Sequence, residues 1–138
     1  SRLDELQAAI LRVKLKSLDK ENSKRIEIAK TYRNCLKNEN LIVLPFSNKN
    51  MKHVYHQFVI VINNRDKILK TLREKNIICG IHYPKAVHQQ KAYESKKFQT
   101  VPLNNTNHIS SRILSLPIHP ELSLTDARIV SAELCKLV

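Results

Sequence analysis

Residues 54–84 read VYHQFVIVINNRDKILKTLREKNIICGIHYP, and their pattern decides the fold. Val54 to Ile62 alternates at its start and ends in a β-branched run, which is the mark of a strand. Asn63-Asn64 closes it. Arg65 to Lys75 then changes period: Ile68, Leu69 and Leu72 fall on one face of an amphipathic helix. Ile77-Ile78-Cys79-Gly80-Ile81 is short, apolar and partly β-branched, so it reads as a second, buried strand. This strand holds Gly80, the one glycine of the chain. His82 and Tyr83 leave its end together before Pro84. On their own they read as strand-end caps with local hydrogen-bond partners. The same placement also suits them to meet a ligand.

Working outward, Leu41-Ile42-Val43-Leu44 is a short strand ended by Pro45, and Ile113-Leu114-Ser115-Leu116 another, ended by Pro117. Thr106 to Arg112 reads as a short helix. Ser123 and Asp126 stand in capping-box spacing at the head of a last helix, whose apolar face is Ile129, Val130, Leu134 and Leu137. Residues 84–104 form a long polar loop with one helical turn near Gln89–Tyr93; loops of that length in compact domains are usually functional or disordered.

Residues 2–37 contain neither Gly nor Pro. Leu3, Leu6, Ile10 and Val13, then Ile26, Ala29, Tyr32 and Leu36, recur at helical spacing. Asn22-Ser23 can cap or kink the run midway. Unbroken, this helix spans about 54 Å, whereas a domain of this size has a radius of gyration of about 14 Å. Part of it must pack on something beyond its own domain. Two shorter helices folded back at Asn22 would need no such partner.

The expected fold class is therefore α+β: a small antiparallel or mixed sheet with flanking helices and a long N-terminal helix. We expect residues 1–38 to form that helix at an interdomain or dimer interface, and 39–138 a small α+β domain. Phe58, Ile60, Ile62, Ile78, Leu114 and Leu116 are the expected strand contributors to the core.

Composition narrows the function. With 24 Lys and Arg against 12 Asp and Glu, the net charge is +12. The lysines are spread along the chain and outnumber the arginines, the usual bidentate readers of bases and phosphates. With no Trp, three Phe and no zinc-ligand spacing, nucleic acid is an unlikely partner. The charge reads as solvated surface, as a grip for an anionic substrate, or as the balance to an acidic region elsewhere. No apolar stretch approaches the ~20 residues of a membrane span. The charged opening Ser1-Arg2-Leu3-Asp4-Glu5 leads us to expect no secretory leader. Cys35, Cys79 and Cys135 fit no metal or redox spacing. Each lies among apolar residues, which suggests buried thiols in a reducing, cytoplasmic compartment.

Four blocks together carry a resemblance. They are Ser1-Arg2-Leu3-Asp4-Glu5-Leu6-Gln7-Ala8-Ala9, Arg25-Ile26-Glu27-Ile28-Ala29-Lys30-Thr31-Tyr32, His56-Gln57-Phe58 with Gly80-Ile81-His82-Tyr83-Pro84 and His88, and Leu114-Ser115-Leu116-Pro117-Ile118-His119-Pro120-Glu121-Leu122. In order and spacing they resemble the C-terminal part of the DegT/DnrJ/EryC1/StrS family, pyridoxal-phosphate-dependent aminotransferases of nucleotide-linked keto sugars. The resemblance implies transfer of an amino group, from glutamate, in surface polysaccharide, lipopolysaccharide or related amino-sugar biosynthesis, by a homodimer.

It also implies what these residues lack. In the family, an N-terminal large domain carries the Schiff-base lysine, the carboxylate on the pyridine nitrogen, the group stacked on the ring and most phosphate ligands. None of the sixteen lysines here lies in a segment resembling the Schiff-base motif. No catalytic and no cofactor-binding residue is therefore expected in this chain. The resemblance implies that the Asn of the family's Asn-x-Arg element, which reaches across a dimer interface toward a neighbour's cofactor phosphate, would immediately precede Ser1, and that its Arg matches Arg2.

By resemblance, Arg2, His82 and Tyr83 are the substrate-binding candidates, with His88 beside them. Guanidinium pairs with phosphate, while imidazole and phenol bond sugar hydroxyls. His56 reads instead as a satisfied strand histidine and His119 as a turn residue; His53, His108 and Lys85 read as solvated. A family dehydratase, with the Schiff-base lysine replaced, and a stand-alone basic binding module are the alternatives.

Overall fold

The computed structural model describes residues 3–48, 50–94 and 101–138. The chain runs α1 (Glu5–Leu15), α2 (Leu18–Leu36), β1 (Ile42–Val43), β2 (Phe58–Ile62) and α3 (Arg65–Glu74). A 3-10 turn (Val87–Gln89) follows, then α4 (Lys91–Glu94), α5 (Asn104–Ser110), β3 (Ile113–Leu116) and α6 (Leu124–Cys135). The strands form one antiparallel sheet in the order β1-β2-β3. Phe58 pairs with Leu116 and Ile60 with Leu114. Strand alternation turns these four, with Ile62, to one face, where they are buried. On that face lie Ile28, Ala29, Tyr32 and Leu36 of α2, Ile68 and Leu72 of α3, and Ala127, Val130 and Leu134 of α6, in one cluster. The domain is two layers, helices on sheet, as expected.

Polar ties fix the layers. The Tyr32 hydroxyl donates to the Pro117 carbonyl at 2.7 Å, joining α2 to the exit of β3. Burial, with the charges of Cys79 and Asp126 adding to it, raises the Tyr32 phenol well above its ordinary pKa, so it stays a donor. Arg65 is buried; its Nη1 donates to the Ile113 carbonyl at 3.0 Å and its Nε to Asp66 at 2.6 Å. At the head of α6 the Asp126 amide donates to Ser123 Oγ at 3.0 Å, while the Ser123 hydroxyl turns to the Asp126 carboxylate at 2.7 Å.

Three expectations are corrected. The helical run breaks at Lys16–Ser17, not at Asn22–Ser23. There the Lys16 and Ser17 amides tighten to i−3 carbonyls, and α2 restarts with the Glu21 amide on the Ser17 carbonyl. Asn22 and Ser23 stay helical, because Ser23 Oγ bonds back to the Asp19 carbonyl and Asn22 accepts from Arg25. The segment 77–81 is not a strand: it meets the sheet at one bridge, Gly80 with Ser115. Ile77 turns inward there, but Ile78 is 79% exposed, because no layer covers the outer side of this edge. Likewise 54–57 is not strand, since Tyr55 adopts a positive φ of 50°.

Leu3, Leu6, Ile10 and Val13 are between 52% and 70% exposed, and α1 has no buried residue. The apolar stripe of α1 is thus uncovered by its own domain, although the helix is broken at Lys16–Ser17 and the unbroken length from which a partner was expected is not formed.

The cysteines also depart from expectation. Cys35 is exposed; Cys79 and Cys135 are half-buried. Burial pushes the Cys79 thiol up to about 11, and burial followed by Glu39 raises that of Cys135. The thiolate is the reactive form. A rise of two units from 9.0 leaves Cys79 about a hundredfold less thiolate at neutral pH. With a thiol reagent at pH 8 we expect one rapid equivalent per chain, mapping to Cys35, and two slow ones. A rapid equivalent at Cys79 would contradict this packing.

Candidate functional site

The outer face of the sheet lacks a helical layer, and polar groups collect at its β3 edge. Val59 and Ser115 are paired across β2 and β3 and lie on this face. The Gly80 amide donates to the Ser115 carbonyl at 2.9 Å, and the Ser115 amide to the Gly80 carbonyl at 2.8 Å. Two residues on, His82 folds back over this bridge. Its Nδ1 lies 2.8 Å from Ser115 Oγ. A Cβ on residue 80 would lie 3.1 Å from His82 Cε1, so Gly80 is there for the close approach of the ring; its φ is not positive.

The chain then turns sharply. Tyr83 has φ 58°, a left-handed conformation that is costly for a non-glycine residue, and its side chain is 85% exposed. Beyond it the loop packs on α5. His88 Nε2 meets Asn107 Oδ1 at 2.8 Å, and Gln89 Nε2 donates to the same oxygen at 3.1 Å.

Two cavities result. A pocket of about 260 Å³ is lined by His82, His56, Gln57, Ile78, Ser115 and Pro117. A larger one, about 880 Å³, is lined by Tyr83, Val87, His88, Tyr93, Ile109 and Ile113, among others. The structure therefore separates the candidates: His82 faces the small pocket, whereas Tyr83 and His88 border the large one. Arg2 lies outside the described residues. His56 is not the satisfied strand histidine expected; it is exposed just before β2 and shares the small pocket with His82. His119 is exposed. His53, also exposed, accepts from the Tyr55 amide at 2.9 Å and stacks near the Tyr55 ring at 4.2 Å. Lys85 is exposed at the mouth of the large cavity. Ser115 and Asn107, which hold His82 and His88, were not singled out as site residues. One clue existed for Ser115: a lone hydroxyl between Leu114 and Leu116 in an apolar strand.

The polar groups gathered on this face are hydrogen-bonding groups. A pyridoxal cofactor needs a lysine amine held in a dry site. Every described lysine is exposed except Lys24, which is half-buried and pairs with Glu121 at 3.8 Å. The described residues do not fit that cofactor. Among them, no group of three or more His, Cys, Asp or Glu is placed to hold a metal, and no helix is long and apolar enough to cross a membrane.

The sequence profile of the DegT/DnrJ/EryC1/StrS aminotransferase family matches residues 1–134. The chain belongs to this family. It is 43% identical over 133 residues to the dTDP-3-amino-3,6-dideoxy-alpha-D-galactopyranose transaminase of Aneurinibacillus thermoaerophilus, covering 96% of this chain and 36% of that protein. It superposes on a family aminotransferase from Brucella abortus with a TM-score of 0.88 at 33% identity, covering 99% of this chain and 36% of the other. NtdA from Bacillus subtilis, whose structure holds PMP, matches with a TM-score of 0.84 at 29% identity, over 99% of this chain and 32% of NtdA. The chain thus spans about a third of the length of these family members. NtdA is about three times as long as this chain.

Proposed function

We propose that these residues are the C-terminal, substrate-side part of a sugar aminotransferase that moves an amino group to a nucleotide-linked keto sugar. The pyridoxal cofactor is held by a preceding domain of the same protein, and the working unit is a cytoplasmic homodimer. The observation that carries this is the Gly80–Tyr83 turn: in a chain matching the family throughout, it presents an imidazole to the small pocket and an exposed phenol to the large one. His82, from the small pocket, and Tyr83, from the large one, grip sugar or phosphate oxygens, and His88 borders the large pocket with Tyr83. The uncovered stripe of α1 supports a packing surface for the cofactor domain or a second subunit, because exposed apolar patches of several hundred Å² usually mark interfaces.

The test uses the full-length enzyme. His82→Ala and Tyr83→Phe each remove one hydrogen bond, worth about 0.5–1.5 kcal/mol. The KM for the keto sugar should rise, or kcat fall, by a few-fold to about tenfold, while the cofactor absorbance stays unchanged. Unchanged kinetics in both variants would return the pair to a purely structural role.

A further inference from the structure

Ser115 is the least expected member of this face. It is a buried hydroxyl in the middle of β3, and its only hydrogen-bond partner among the described residues is His82 Nδ1. With no other acceptor among the described residues, one direction of the bond is favoured. If Nδ1 carried a proton and donated, the serine proton would be left without an acceptor in a buried place, which is disfavoured. This favours the serine as donor and Nδ1 as acceptor, with the imidazole proton on Nε2. Nε2 makes no hydrogen bond among the described residues, and the exposed ring lines the small pocket beside His56. The Gly80–Ser115 bridge fixes the backbone on both sides, and the missing Cβ of Gly80 lets the ring lie down over it.

We propose that Ser115 is a positioning residue that locks His82 with Nδ1 as acceptor and the proton on Nε2, so that His82 meets an oxygen of the nucleotide sugar as a hydrogen-bond donor. This deepens, and rests on, the reading of His82 as a substrate grip. The ligand atom it selects is an acceptor: a phosphate, ring or hydroxyl oxygen, not a group that can only donate.

The first measurement needs no activity. In the ¹⁵N-labelled 138-residue chain, long-range ¹H–¹⁵N correlation spectra report the tautomer of each histidine. His82 should show an unprotonated, hydrogen-bonded Nδ1 and a protonated Nε2. Ser115→Ala should weaken that preference about two- to tenfold, the worth of one hydrogen bond, and Ser115→Thr, which keeps the hydroxyl, should restore it. Gly80→Ala should weaken it too, by displacing the ring while the hydroxyl remains. If Ser115→Ala does not fold, the wild-type spectrum and Gly80→Ala decide. An Nδ1-protonated His82 in the wild type, or one indifferent to these changes, overturns the proposal.

The second measurement is kinetic, in the full-length enzyme. Ser115→Ala should raise the sugar KM by no more than His82→Ala does, and should add nothing in a His82→Ala background. Additive losses would overturn positioning. A tautomer that responds to Ser115 while neither variant alters sugar kinetics would uphold the lock and instead overturn His82 as a substrate grip.

Discussion

Phe58→Ala should destabilise the domain by about 3–5 kcal/mol, the usual cost of emptying a buried aromatic site. Phe58 is 0% exposed and is the point where sheet and helices meet. Its ring centroid lies 5.0 Å from that of Tyr32 on α2 and 6.0 Å from that of Tyr55, and its backbone pairs with Leu116. Three elements therefore lose contacts at once. Domain stabilities are about 5–15 kcal/mol in total, so the loss is a large fraction of what exists. The melting temperature should fall by about 10–20 °C. Ile78→Ala is the informative companion. Ile78 is 79% exposed, and exposed substitutions usually stay within about 0.5 kcal/mol. Chemical or thermal melts of both variants should separate them widely. Equal losses would mean that the segment before Gly80 is packed as a strand after all.

That contrast shows where the sequence was legible. β2, α3 and α6 were read from periodicity, because one face of each is buried against a single core; in α6 Val130 and Leu134 follow it, but Ile129, expected on that face, is 52% exposed, and Ala127 and Ser131 are buried instead. Ile77 to Ile81 defeated the same logic. A short apolar run looks alike whether it lies inside a sheet or along its edge, and only the fold shows that a single bridge to Ser115 holds it. The helix break was misplaced for a local reason. Asn22 and Ser23 looked like interrupters, but side-chain bonds to Arg25 and the Asp19 carbonyl satisfy them within the helix, while the signal passed over was Ser17, an N-cap residue type followed by Asp19 and Glu21 in the first turn of α2.

The site was legible at its strand end. His82 and Tyr83 stand out as polar groups between an apolar run and a proline, and the family blocks gave them a role. Their partners were hidden. Ser115 is 33 residues from His82, and Asn107 is 19 from His88; such pairings are made by the antiparallel sheet and by the packing of the loop on α5. His56 was assigned to a strand that in fact begins at Phe58, and that boundary error concealed its exposure.

The second large effect concerns the cofactor. The 138-residue chain should neither retain pyridoxal phosphate nor transaminate. Retention needs a lysine amine supported by ring and phosphate contacts, whereas the described lysines are exposed or half-buried, with Lys24 paired with Glu121 and Lys75 and Lys136 with Glu133. A solvated amine can condense with the aldehyde at high concentration, but without those contacts the adduct should hydrolyse and wash out. The chain also spans 36% of a related transaminase and 32% of a PMP-bearing relative, which leaves most of each relative unmatched. Adding the cofactor-bearing domain in trans should restore activity, with the His82–Tyr83 turn then facing a complete site.

The most direct test is to incubate the chain with pyridoxal phosphate, desalt it, and record its visible absorbance, trapping any adduct with borohydride for mapping. The account predicts no stoichiometric band after desalting and only scattered, substoichiometric lysine modification; a one-to-one band that survives desalting and maps to a single lysine would contradict it.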